Sequence, residues 1–167
     1  EEPVNAPEIR GRPVMMTCFE DADHAGCQDT RRSHTGIIIM VNRAPIMWFS
    51  KRQSTCEAST LGSELVAARI ATEMVKGLRL KLRMMGVEVL GPTAMFCDNA
   101  SVVTQSTRPE SALKKKHCVV AYHLIREAQA AGIISMSKED GKTNLADIAT
   151  KLNDGPTLRR LCQYLLW

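Results

Sequence analysis

Aromatic residues make up only 4% of the chain, so its core has to be built from Leu, Ile, Val, Met and Ala. No apolar run approaches the roughly 18 residues that cross a bilayer, and no signal-peptide pattern opens the chain; no membrane partner is expected. Close cysteine pairs are missing as well. Cys18, Cys27, Cys56, Cys97, Cys118 and Cys162 are scattered, without the spacing of a metal-ligand pair. Several lie in apolar runs, which reads as buried, reduced thiols in an intracellular, cytoplasmic protein. Internal repeats and low-complexity segments are absent. Neither sign of charge dominates: the net charge is +4, mildly basic and compatible with a polyanionic partner but weak evidence alone.

What is present is enough for one domain with a real core, at 167 residues and 44% apolar content, too apolar for disorder. The chain begins at Glu1 rather than Met, which fits a piece of something longer or a processed product. Residues 1–13 carry three prolines and no periodicity and read as a tether to a domain over 14–167. Val14–Asp21, Thr35–Val41 and Ile46–Lys51 read as three strands of an antiparallel meander, joined by a polar connection and a turn at 42–45. Glu57–Met85 is the longest helical pattern. Thr93–Cys97 is a fourth strand, Ala100–Thr107 a short helix and Lys114–Ala131 an amphipathic helix with Val120, Leu124, Ala128 and Ala131 inward. Ile133–Ser137 is a fifth strand. A closing helix capped by Thr143 or Asn144 runs to Lys151, and a last apolar helix covers 157–167. Core 14–151 plus that helix gives an α/β fold: a five-stranded mixed sheet with helices on its faces.

One residue of the long helix breaks its pattern. Leu61, Glu64, Ala68, Ala71, Val75, Leu78, Leu82 and Met85 form a stripe at helical spacing, and only Glu64 is ionisable. A carboxylate on a buried stripe has to be neutralised, paired or bound to a metal. Strands one and three run parallel, so Asp21 and the start of the helix share one edge of the sheet. The right-handed return makes strand four parallel too and brings Asp98 to the same edge. Asp147, near the start of the closing helix, completes a group of four. Asp23 competes with Asp21 for the first position; Asp21 shares the strand face of Phe19, whereas Asp23 reads as a turn residue. Asp98 also suits an Asx turn, and Asp147 a helix-start pattern. Clustered carboxylates repel, and hard divalent cations relieve them. Two Mg²⁺ ions in such a site suit phosphodiester hydrolysis with water as nucleophile.

Eight stretches in order carry a family resemblance: FEDADHAG (19–26), DTRRSHTG (29–36), WFSKRQS (48–54), STLGSELVA (59–67), FCDNASV (96–102), LKKKH (113–117), YHLIREA (122–128) and TNLADIATK (143–151). The chain resembles the ribonuclease H domain of copia-type (pseudoviral) LTR retrotransposon polyproteins over roughly Met15 to Lys151. The resemblance implies a ribonuclease H-like fold and endonucleolytic, Mg²⁺- or Mn²⁺-dependent cleavage of RNA in RNA–DNA hybrids. It also implies an adjacent reverse transcriptase domain and a virus-like-particle setting. Carried over, the four metal-site acids fall on Asp21, Glu64, Asp98 and Asp147. The chain departs from the pattern at His24, where Trp is common. Its loop KEDGKTN also has no His before the last acid, unlike many cellular and retroviral enzymes.

Candidates for holding the hybrid are Arg31, Arg32, Ser59, Asn99 and the run Lys114, Lys115 and Lys116. The bland reading of the lysines is a solvated face; the sharper one is a phosphate-facing patch. Ser59 and Asn99 are candidates for contact with sugars, where the 2′-hydroxyl separates RNA from DNA. His117 and His123 read as structural, and Met84–Met85 as core. The rival functions are an integrase-like enzyme of the same fold and a catalytically dead module that scaffolds a polymerase. An isolated domain is expected to be monomeric.

Overall fold

The computed structural model describes residues 4–108, 110–111 and 118–166. Lys114, Lys115, Lys116 and His117 lie outside the described residues. Among the described residues, five strands form one sheet: β1 (Met16–Asp23), β2 (His34–Val41), β3 (Ala44–Arg52), β4 (Thr93–Cys97) and β5 (Ile134–Lys138). Their order is β3-β2-β1-β4-β5. The β1/β2 and β2/β3 pairs are antiparallel, and β1/β4 and β4/β5 are parallel. The sheet is mixed, with β1 at its centre.

Helices cover both faces. On one, α1 (Thr60–Met84), α2 (Ala100–Thr107) and α3 (Val119–Ala130) enclose the main core, built from Cys18, Ile37, Ile39, Leu65, Val75, Met95 and Ile125 among others. On the other, Ile38, Met40, Leu145 and Leu161 form a smaller core beneath α4 (Asp147–Thr150) and α5 (Gly155–Cys162). Burial on both sides explains the unbroken run Ile37–Met40 in β2: a strand covered on one face only alternates apolar with polar residues. Burying each of these side chains contributes about 1.5–3 kcal/mol.

Local chemistry sets the helix ends. Ser59 caps α1, its hydroxyl accepting from the Gly62 N–H at 3.2 Å. Asn99 caps α2 through Oδ1, and Asp154 caps α5 with Pro156 in its first turn. That last cap starts the final helix two residues earlier than expected, because proline without its N–H fits a helix start. Residues before β1 are hydrogen-bonded rather than apart: Arg10 N–H donates to Gly86 O, and Val14 N–H to Glu88 O.

Several sequence expectations are corrected. The inner face of α3 is Ala121, Ile125 and Ala128, while Val120 is exposed. The alanine-rich stripe of α1 lies opposite, and close helix approach selects small residues. Met84 and Met85 are exposed, not core, since α1 outruns the sheet at that end. The closing helix shrinks to α4, because Asn144 is buried and used elsewhere. Its Nδ2 donates to Glu20 O at 2.9 Å, while its Oδ1 accepts from Ala146 N–H. The cysteines are all free thiols, but only Cys18, Cys97 and Cys118 are fully buried.

Candidate active site

Strand β1 runs two residues beyond its expected end and carries Asp21, 1% exposed. Glu64, 3% exposed, sits in the second turn of α1. Asp98 follows directly on β4, the parallel neighbour of β1. One carboxylate oxygen from each of the three lies within 4.8 Å of the others. Asp23 is outside this group and folds over Gly26.

Asp147, the first residue of α4, is not in that triplet. Lys151 Nζ holds it at 2.7 Å and reaches Asp21 Oδ2 at 3.4 Å, while the Thr150 hydroxyl donates to the same Asp21 oxygen. The approach of α4 depends on Gly36, which pairs with Asp21 across β1 and β2. A methyl group there would meet Ala146 O at 2.7 Å and Thr150 Cγ2 at 2.6 Å, so any side chain would push α4 off the sheet.

The electrostatics follow from crowding. Burial, and then the charges of Glu20, Asp21 and Asp98, push the Glu64 carboxyl up to about 10, with Lys151 opposing. Burial followed by Asp21 raises Asp98. Burial also raises Asp147, against its hydrogen bond from Lys151. Burial alone would lower Lys151, but the hydrogen bond to Asp147 and the charges of Asp21 and Asp147 leave it raised. Glu64 Oε2 is buried without a hydrogen-bond partner. An all-carboxylate set with a bare buried oxygen suits a hard divalent cation.

No protein-family model matches the chain. It is 26% identical over 142 residues to the retrovirus-related Pol polyprotein from transposon RE1 of Arabidopsis thaliana, covering 85% of this chain and 10% of that one. The corresponding polyprotein from transposon TNT 1-94 of Nicotiana tabacum is 30% identical over 142 residues, covering 85% and 11%. The chain spans about a tenth of the length of these polyproteins. Among solved structures, LC11-RNase H1 in complex with RNA/DNA hybrid superimposes with a TM-score of 0.59 at 13% identity, covering 82% of this chain and 93% of that one. The fold is that of ribonuclease H. The proteins that the chain matches over most of its own length are retrovirus-related Pol polyproteins of transposons.

Within this ribonuclease H fold, the expected nucleic-acid residues have mixed fates. Ser59 and Asn99 spend their side-chain oxygens on helix caps. Arg31 is exposed in a left-handed conformation, φ 53°, and its carbonyl accepts from the Cys56 thiol. Arg32 is exposed and lines a groove with His34, Lys51, Arg52 and Gln53, which reaches Thr150 at the acid cluster. His24 contacts the Ser63 hydroxyl at 3.3 Å, packing on the start of α1 where the pattern has Trp.

Two residues escaped sequence reasoning. Lys151 stands four residues after Asp147, an ordinary helical ion-pair spacing, and was legible as such. Glu20 is fully buried, with neither oxygen hydrogen-bonded. Burial, and then Asp21 and Asp98, push its carboxyl up to about 8, though the nearby Cys97 thiol draws it down. Its signal was the other face of β1, where an acid follows Met16 and Cys18 at strand spacing.

Proposed function

We propose that the chain is a ribonuclease H that cuts the RNA strand of RNA–DNA hybrids during reverse transcription of a retrotransposon. The observation that carries this reading is the convergence of Asp21, Glu64 and Asp98 within 4.8 Å, on a site where Glu64 has a bare buried oxygen. These three, with Asp147 at the rim, would hold two divalent cations, Mg²⁺ in the cell. Bound cations supply Lewis-acid stabilisation of the phosphodiester and a water nucleophile at neutral pH.

The chain's own residues do the rest. The Thr150 hydroxyl donates to Asp21 Oδ2 and so restrains that carboxylate. Lys151 offsets the negative charge in the absence of cations and sits where a phosphate oxygen would pass. Arg32, Lys51 and Arg52 present positive charge along the adjoining groove, which suits a nucleic-acid backbone. No side-chain nucleophile is required. The solved relative bound to an RNA/DNA hybrid supports the substrate class, and the Pol polyprotein relatives support a neighbouring reverse transcriptase. The domain acts as a monomer in the cytoplasm, within the element's particle.

The test is cleavage of labelled RNA–DNA hybrid, double-stranded RNA and double-stranded DNA, with Mg²⁺ and with chelator. Cutting confined to the RNA of the hybrid and dependent on the cation is expected. Cutting of DNA, or of RNA without cation, would overturn the proposal.

A further inference from the structure

Behind the outer carboxylates lies a second, wholly enclosed group. Glu20, Glu64 and Cys97 each bring one donor atom, and these atoms lie within 4.8 Å of one another. Glu20 and Cys97 are direct partners in the parallel β1/β4 register. The inner set is therefore the outer one moved back a residue on both strands, from Asp21 and Asp98 to Glu20 and Cys97, with Glu64 common to both. All three residues are buried, and Glu20 is 0% exposed. Among the described residues, no donor meets either Glu20 oxygen or Glu64 Oε2 in hydrogen-bond geometry, and the neighbour that bears on Glu20 is the Cys97 thiol itself. A core position that needed only packing would take an apolar side chain here, because enclosing an unsatisfied carboxyl group is unfavourable.

We propose that Glu20, Glu64 and Cys97 form a binding site for a thiophilic divalent cation of the zinc class. The donor set decides the metal. Magnesium prefers six oxygens, several of them water, whereas zinc takes sulfur and carboxylate oxygen together in a small four-coordinate shell. The cation forms a bond to Cys97 Sγ, and the thiol proton leaves to solvent; carboxyl protons on Glu20 and Glu64 leave the same way. Two carboxylates and a thiolate then face a dication, leaving one net negative charge where the metal-free state crowds bare oxygens. Since Glu64 serves both sets, a cation held inside draws it from the outer one. On the nuclease reading above, the inner cation is an inhibitor.

The full chain, metal-free and reduced, with Cys27, Cys56 and Cys162 replaced by Ser, is titrated with Cd²⁺ as the spectroscopic stand-in for Zn²⁺. The expected result is an ultraviolet thiolate-to-cadmium band that saturates at one cation per chain. Zn²⁺ should abolish the band by competition and Mg²⁺ should not. Cys97→Ser should lose it, and Glu20→Gln should weaken the affinity on the order of tenfold or more, with circular dichroism confirming that both variants fold. Cadmium NMR of the Cys-reduced background reads the donor set without touching the site, and one sulfur with oxygens is expected. No band in the folded protein, a band that survives in folded Cys97→Ser, an unchanged affinity in Glu20→Gln, or a sulfur-rich cadmium shift would each overturn the proposal. None of these readouts involves cleavage, so the site and the nuclease reading fail separately.

Discussion

Replacing Glu64 with Gln should stabilise the metal-free protein while abolishing cleavage. The Glu64 carboxyl is pushed from its ordinary 4.5 up to about 10, by burial first and then by Glu20, Asp21 and Asp98. Between those two values the folded chain holds a proton that the unfolded chain has released. Stability therefore falls as pH rises through that window: the contribution is whole below about 4.5 and is lost on the way to about 10. At pH 7 the solution stands 2.5 pH units above the ordinary value of 4.5 that the unfolded group keeps, which corresponds to about 3 kcal/mol against folding. Glutamine has the same shape and no proton to take up, and its amide can donate to the bare Glu20 oxygens. Allowing for the polar group still to be buried, the gain at pH 7 is about 1–3 kcal/mol. Urea denaturation in chelator at pH 5 and pH 8 measures it. The advantage of Glu64→Gln should be small at pH 5 and several-fold larger at pH 8. Saturating Mg²⁺ should stabilise the unsubstituted protein more than the variant, since ligand binding to the native state adds stability. A variant less stable at both pH values, or a difference that does not change with pH, would refute the reasoning.

Three further outcomes are expected. Asn144→Ala removes the buried hydrogen bond that ties the turn before α4 to the Glu20 carbonyl of β1, together with the Asn144 contact to Ala146 N–H; the loss should be about 2–3 kcal/mol by urea denaturation. Ser59→Ala should cost about 1 kcal/mol as a lost helix cap and leave hybrid affinity unchanged in a gel-shift titration, whereas weaker binding would restore its sugar-contact role. Lys151→Met removes a half-exposed cation from the mouth of the acid cluster. Such a charge is worth about 1 kcal/mol, so calorimetric Mn²⁺ affinity should rise roughly fivefold; a fall would mean that Lys151 organises the ligands instead.

The strand directions were legible because each step had a local cause: a β-branched run, a turn at 42–45, and a long helix that forces a parallel return. Boundaries were less so. Residues 21–23 read as the end of a strand because Asp21 and Asp23 are polar, yet β1 continues to Asp23 in register with His34–Gly36 of β2. Periodicity over Val119–Ala121 offers three nearly equivalent inner faces for α3, and only the helix packed against it chooses Ala121. Asn144 looked like a helix cap from its neighbours in sequence; its Oδ1 does accept locally from Ala146 N–H, but its Nδ2 donates to a carbonyl 124 residues away.

The two buried glutamates show most clearly what a sequence reveals about a site. Glu64 is one charge among eight stripe positions of a helix, so its anomaly stands out against seven apolar neighbours. Glu20 sits on a strand face with only Met16 and Cys18 before it, too short a pattern for one acid to count as an exception. In the folded chain they meet in the same enclosure, and burial raises both well above ordinary carboxyls, to about 8 and about 10. A core that keeps three carboxyl oxygens without a hydrogen-bond partner among the described residues has to be completed by protons or by cations, and these alternatives compete for the same oxygens. Stability without metal and readiness for metal are therefore opposed properties of this site. The residue that first looked misplaced is the one on which both depend.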